Sequence, residues 1–404
     1  MAIVRFLERE HEVSLQVEAT YGTDPGAAAA GDSFKQQTGV EMVKRVIART
    51  DRDEDRDYAQ ASVITTQKGR ESSTIKIVAD LIPSGNGTTP TLPDMDVAFK
   101  SVMGFEHKAT AHTTTAAGST GVTLNLTAGG GAASGLAIGD MLAVDVDTAN
   151  GYEVRQVVNL VTDTVTVDRA FTANPAISRT VKVGTTYRLL NTATPSVYLK
   201  RWIGGAGYRM AVPGVILSDM DITVDSAAAT PLARVSFGGK GGAELAHVEA
   251  RPTFTFLGQP LVPSTSIVWF DTGATPRKMY LAGPAALKVN NGLELRANEG
   301  RSLNPTGVKR TANGSRYNVD FSLGMLLTTG DEDTAAIYGT LQSLGALDVL
   351  LQLNKTAGQI FAIRCPKWIP EGNLAGRAGE VGITLGGGRV YGTAGDDEVT
   401  FCFL

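Results

Sequence analysis

One stretch, Ser196 to Lys240, restricts the fold more than any other, because it holds four strand-like runs separated only by turn residues. Ser196–Ile203 and Tyr208–Val212 flank Gly204-Gly205-Ala206-Gly207, which can supply the positive-φ positions that a tight hairpin needs. Pro213-Gly214 reads as a turn, and Val215–Asp225 is the longest clean alternation in the chain. Successive strand residues point to opposite faces, which sets Ile216, Ser218, Met220, Ile222 and Val224 against Leu217, Asp219, Asp221, Thr223 and Asp225. The first set suits a core and the second suits water or a charged partner. Ala227–Thr230 turns the chain, and Leu232–Phe237 closes the unit before a glycine loop at Gly238–Gly242. The expectation is an antiparallel sheet with one wet, acidic face.

The totals bound what surrounds that sheet. With 404 residues, 43% hydrophobic and 19% charged, the chain has length for two or three cored domains and the make-up of a soluble globular protein. Its 46 glycines and few aromatic residues favour many short strands joined by turns. A formal net charge of −4 counts against gripping nucleic acid by phosphate neutralisation. Cys365 and Cys402 do not make a disulfide framework and suit synthesis in a reduced compartment. The opening ten residues carry too many charges for a signal peptide. No apolar run approaches the roughly 20 residues of a membrane span, so no membrane partner is expected.

In chain order, residues 1–39 read as an arm with one strand at His11–Ala19. Val40–Thr50 suits a strand or a short helix, and its Val and Ile content favours the strand. The mixed-charge run Asp51, Arg52, Asp53, Glu54, Asp55, Arg56 and Asp57 opens a long polar loop to Ser72. Ser73–Leu81 alternates, and Met95, Ala98, Phe99, Val102 and Met103 form the apolar stripe of a short helix stopped at Gly104. Residues 108–191 change texture to short strands at close spacing, the mark of an inserted small β-barrel-like domain. Beyond residue 250 come further strands and a polar loop, Asn298–Ser315, carrying Arg301, Lys309 and Arg310. Arg316–Leu323 alternates, and a second helix is expected at Asp331–Leu344, with its acidic residues at the N-terminus.

Setting the insert aside exposes a repeat in the order of elements. Strand, polar loop, alternating strand, short helix, hairpin, Pro-containing break and two strands occur twice, with little sequence identity. The domains expected are an arm (1–39), a discontinuous first unit (40–107 with 192–250), the insert (108–191) and a second unit (251–404). The fold class expected is mainly β: tandem antiparallel β-sandwich or barrel units, each with one short helix, plus the inserted barrel-like domain.

No catalytic, cofactor or metal site emerges. The four histidines, His11, His107, His112 and His247, lack metal-ligand spacing, and His107 and His112 read as polar linker residues. Gly238–Gly242 with Lys240 lacks the phosphate-loop pattern, and no nucleophile elbow is present. Asp219 and Asp221 share a strand face, but no third ligand accompanies them.

The arm motif Ala19-Thr-Tyr-Gly-Thr-Asp-Pro25, the long polar loop, the strand–helix–hairpin order, the strand Val215–Asp225 and the ending Gly392-Thr-Ala-Gly-Asp-Asp-Glu-Val399 together resemble major tail tube proteins of long-tailed bacteriophages. The resemblance extends over nearly the whole chain, with 108–191 as an added decoration. It implies a structural virion protein made in the host cytoplasm, in which each tube fold gives four strands to the inner β-barrel of a ring. Stacked rings then conduct DNA, held only transiently, and meet tape measure, tail terminator and tail-tip proteins. A duplicated fold implies a homotrimer with pseudo-sixfold symmetry in place of a homohexamer. Asp219, Asp221 and Asp225 become lumen-facing candidates. Asp51–Asp57, Arg301, Lys309 and Arg310 become ring-stacking candidates. The competing expectation is a tail-tip, baseplate or adhesin-like β-protein that binds a host surface.

Overall fold

The computed structural model describes residues 11–28, 32–34, 42–52, 65–83, 87–147, 151–190, 194–203, 208–225, 231–250, 253, 258–273, 275–295, 308–310, 317–326, 345–377, 380–392 and 397–404. The body opens with β1 (His11–Val17), β2 (Ser33–Phe34), β3 (Val43–Arg52), β4 (Thr65–Asp80), helix α1 (Asp96–Met103) and β5 (Gly104–Lys108). A small unit follows through β6 (Thr113–Thr114), β7 (Thr123–Asn125), helix α2 (Gly130–Ser134), β8 (Met141–Asp147), β9 (Gly151–Val161), β10 (Thr164–Val167) and β11 (Thr180–Val183). The body resumes with β12 (Thr185–Leu189), β13 (Val197–Ile203), β14 (Tyr208–Asp225), β15 (Ala233–Gly241) and β16 (Leu245–Val248). Then come β17 (Ser266–Phe270), β18 (Arg277–Tyr280), β19 (Pro284–Asn290), β20 (Leu293–Leu295) and β21 (Val308–Arg310). The last strands are β22 (Asn318–Leu326), β23 (Leu347–Leu353), β24 (Phe361–Arg377), β25 (Glu380–Val390) and β26 (Thr400–Phe403). The fold is mainly β, with every ladder between these strands antiparallel.

Two long strands organise the body. The first half of β14, Tyr208–Val215, pairs with β13, and its second half, Ile216–Val224, pairs with β15. β24 repeats this: Phe361–Trp368 pairs with β23 and Trp368–Arg377 with β25. Even the bulges correspond, at Val197/Leu199 and Leu347/Val349 in the first ladder and at Leu217/Asp219 and Ile369/Glu371 in the second. The remaining partners match as well, β4 with β15 and β3 as β22 with β25 and β19. The result is a curled sheet in the order β3-β4-β15-β14-β19-β22-β25-β24, two four-stranded quarters joined edge to edge by β14 and β19.

One face of the curled sheet packs on a second sheet, β18-β17-β23-β24-β26-β12-β5, which uses the first half of β24. Ile77, Phe237, Met220, Leu287, Phe321, Phe361, Phe401 and Phe403 fill the space between. Helix α1 plugs this core with the expected stripe, Met95, Ala98, Phe99, Val102 and Met103, all buried. The Phe99 ring lies 5.3–5.5 Å from Tyr187, Phe237, Phe401 and Phe403, in tilted or edge contacts favoured by ring quadrupoles. Gly104 ends the helix at φ 84°, where a Cβ would stand 2.4 Å from the Leu190 carbonyl oxygen.

The inserted unit closes on itself. Its order is β6-β11-β8-β9-β10-β7, and Thr115 bridges Leu126 to join the two ends into a small barrel. Leu124, Leu142, Val144, Val165 and Val181 fill it, all fully buried. The outside of β8 and β9, with Met141, Ala143 and Val154, packs on Ile267, Trp269, Leu350, Ala362 and Cys402, the far face of the second sheet. The barrel and the open face of the curled sheet thus lie on opposite sides of the main core.

Several expectations are corrected. β12, placed in the 108–191 insert by its texture, pairs with β5 and β26 and belongs to the body. Pro213-Gly214 does not turn the chain; it forms a bulge inside β14, a position that tolerates the missing N–H of proline. Gly238–Gly241 is not a loop but the end of β15, paired with β14 and β4, and glycine is required at 239 because a Cβ there would lie 2.3 Å from the Ile216 carbonyl oxygen. Asp51 and Arg52 end β3, and Thr65–Ser72 belongs to β4, so both ends of the stretch expected as a polar loop are strand. Lys309 and Arg310 lie in β21, paired with Glu294 and Leu293. The helix expected at Asp331–Leu344, the hairpin turn Gly204–Gly207 and the turn Ala227–Thr230 lie outside the described residues.

Candidate functional site

The open face of the curled sheet forms a shallow groove of about 570 Å³ across β4, β15, β14, β19 and β22. Register builds its floor in rows. Lys76, Gly238, Asp219, Asn290 and Asn318 make one row across the five strands. Val78, Ser236, Asp221, Lys288, Asp320 and Arg389 make the next, continuing onto β25. In the third, Asp80, Arg234, Thr223, Ala286 and Ser322 follow.

Asp219, Asp221 and Asp225 therefore share the groove face of β14, as the alternation predicts. Ser218 does not face the core with Met220: the bulge at Leu217/Asp219 turns it outward and buries Leu217. The expected acidic face is also corrected, because neighbouring strands supply cations. Lys288 Nζ lies 3.8 Å from the Asp221 carboxylate and Arg234 Nε 3.6 Å from that of Asp80. Asp219 accepts hydrogen bonds from Ser218 Oγ (2.6 Å) and from the Asn290 amide. Partial burial pushes the Asp221 carboxyl above its ordinary value, with Lys288 opposing the rise. Alternation within one strand cannot reveal this balance, since the partners come from β4, β15, β19 and β22.

The stacking candidates are not brought together by the described pairings. Asp51 and Arg52 end a strand paired with β4, whereas Lys309 and Arg310 pair with β20. Asp53, Glu54, Asp55, Arg56, Asp57 and Arg301 lie outside the described residues.

A second polar assembly, missed in the sequence, fixes the barrel to the body. Arg169, fully buried, donates to Asp168 (2.7 Å), to the Trp269 carbonyl (3.1 Å) and to Asp348. Arg364 pairs with Asp348 at 2.6 Å and reaches Asp168 at 3.4 Å. The guanidinium ions of Arg169 and Arg364 hold the Asp168 carboxyl below its ordinary value although burial opposes this. Arg155 bonds Glu153 (2.9 Å) and lies 4.1 Å over the Trp269 ring. The available signal was the charge at strand positions whose neighbours are apolar, as in Glu153-Val154-Arg155.

His107 is not a linker residue but part of β5, whereas His112 does lie in the connection from β5 to β6. His107 Nδ1 contacts Asp140 Oδ2 at 2.7 Å where body meets barrel, and His112 Nδ1 accepts the Val183 N–H at 3.2 Å. Burial and the nearby Lys182 lower the His112 pKa to about 4. Cys365 and Cys402 are free and buried, and burial pushes both thiols up. Among the described residues no group of three His, Cys, Asp or Glu side chains is placed to hold a metal, and no helix is long and apolar enough to cross a membrane. No protein-family model matches the chain, and no match is found among curated proteins.

Proposed function

We propose that the chain is a tail tube subunit of a long-tailed bacteriophage: a structural virion protein, not an enzyme, that closes into rings and stacks into a DNA-conducting tube. One observation carries this. Two equivalently wired four-stranded quarters are joined edge to edge by β14 and β19, which among the described residues leaves β3 and the second half of β24 as the outer edges of the curled sheet. An open sheet edge is a template for further pairing, and closing a ring removes it. The β24 edge of one copy meets the β3 edge of the next, as β14 meets β19 within the chain.

Three chains of eight such strands supply 24, the same number as six four-stranded quarters. At about 4.8 Å per strand the circumference gives a barrel roughly 37 Å across at the backbone, before strand tilt widens it. The groove face then lines the lumen, and the inserted barrel, on the opposite side of the core, stands on the tube exterior. Head-to-tail contacts between rings extend the tube, with tape measure, terminator and tip proteins as its partners in the virion tail. Electron microscopy of the purified protein tests this. Rings with threefold symmetry and six similar inner lobes are expected; discrete particles that never close rings, at any concentration, would favour an adhesin-like role.

A further inference from the structure

The charged residues that line the groove include three carboxylates, Asp219, Asp221 and Asp320. They include as many cations, Lys76, Lys240 and Lys288. They are not segregated. Along one row Asp221, Lys288, Asp320 and Arg389 alternate in sign on four consecutive strands. Asp80 and Arg234 face each other on β4 and β15.

From this balance we infer that the groove face is a charge-compensated wall that gives a passing polyanion no net electrostatic hold and no net repulsion. The inference rests on the groove being the wall of a channel. Strand neighbours lie about 4.8 Å apart, so opposite charges cancel within roughly one strand spacing, short of the screening length of about 8 Å at physiological salt. Polyelectrolyte binding gains its free energy from net phosphates neutralised and counterions released, and a groove lined by equal numbers of opposite charges offers none. A uniformly acidic wall would instead repel phosphate while holding any cationic protein segment in the same channel. Balance leaves neither retained.

The property is collective, and removing one sign should expose it. The probe is a duplex DNA of about 20 base pairs, followed by fluorescence anisotropy with the full chain at low salt. The wild type is expected not to bind. The triple variant Asp219→Asn, Asp221→Asn, Asp320→Asn leaves three cations uncompensated, so it should bind, with log K falling against log salt at a slope of about −3. Exchanging signs within a row, Asp221→Lys with Lys288→Asp, keeps the balance and should not bind. The mirror variant Lys76→Gln, Lys240→Gln, Lys288→Gln should instead retain a polylysine peptide, and it carries the test if the first variant fails to fold.

Wild-type binding as strong as that of the triple variant would overturn the inference. So would two folded one-sign variants that bind neither probe, or a sign-exchanged variant that binds like the triple. Ring formation is read separately by microscopy on the same samples, so failure of the tube and failure of the balanced wall are told apart.

Discussion

Gln352 in β23 completes the backbone of Val154 in β9, its side-chain Oε1 accepting the Val154 N–H at 2.9 Å. The same amide donates through Nε2 to the Tyr152 carbonyl at 2.7 Å and to that of Asn354 at 2.9 Å. One fully buried side chain thus acts as a short piece of strand along the free side of β9 and ties the inserted barrel to the body. Gln352→Leu keeps the volume and strands those groups. A buried polar group left unpaired costs about 1–3 kcal/mol, so a loss of roughly 2–5 kcal/mol is expected in denaturant unfolding. A loss under 0.5 kcal/mol would mean that the barrel docks without this contact.

Asp96 and Tyr187 set a pH dependence. Tyr187 is buried and donates its hydroxyl to the Asp96 carboxylate, while burial raises the Asp96 pKa from 3.8 to about 6. The folded state therefore holds this proton more tightly than the unfolded chain does. Stability contributed by Asp96 is full below about pH 4 and falls as pH rises to about 6, a decline on the order of 3 kcal/mol. Asp96→Asn keeps an acceptor for Tyr187 and removes that decline. The variant should unfold at higher temperature than wild type at pH 7.5, with the gap closing near pH 4. A constant gap across that range would contradict the assignment.

Phe99 tests the core. It is buried at the meeting point of four aromatic rings, and Phe→Ala in such a site typically costs about 3–5 kcal/mol. Phe99→Leu should cost less, because it refills part of the space. The two thermal melts compare directly, and equal losses would place the effect in the helix rather than in packing.

Cys365 and Cys402 should resist alkylation in the native state and react together on unfolding, since both are buried with their thiols pushed up. Rapid labelling of either by a small maleimide without denaturant would show that the second sheet opens locally.

Local pattern made much of the body legible. The alternation Val215–Asp225 lies within β14, that of Ser73–Leu81 lies within β4 up to Asp80, and the stripe from Met95 to Met103 is α1 with its N-cap residue and its glycine stop. The order of elements around them hinted at a repeat whose real content is pairing: β14 and β24 each change partners midway. Where pattern failed, a long-range contact had overruled a local preference. Gly239 is a glycine within a strand because Ile216 leaves no room for a Cβ, and Pro213 sits in a strand because a bulge frees it from the ladder. The Asp221–Lys288 and Arg169–Asp348 pairs join residues 67 and 179 positions apart, beyond the reach of periodicity.

The most direct measurement is cryo-electron microscopy of the purified full chain with its symmetry determined. The account predicts rings or stacked tubes of three chains, with 24 strands around the lumen in six similar inner lobes and three inserted barrels on the exterior. Closed rings of six whole chains, or monomers whose β3 and β24 edges stay unpaired at every concentration, would contradict it.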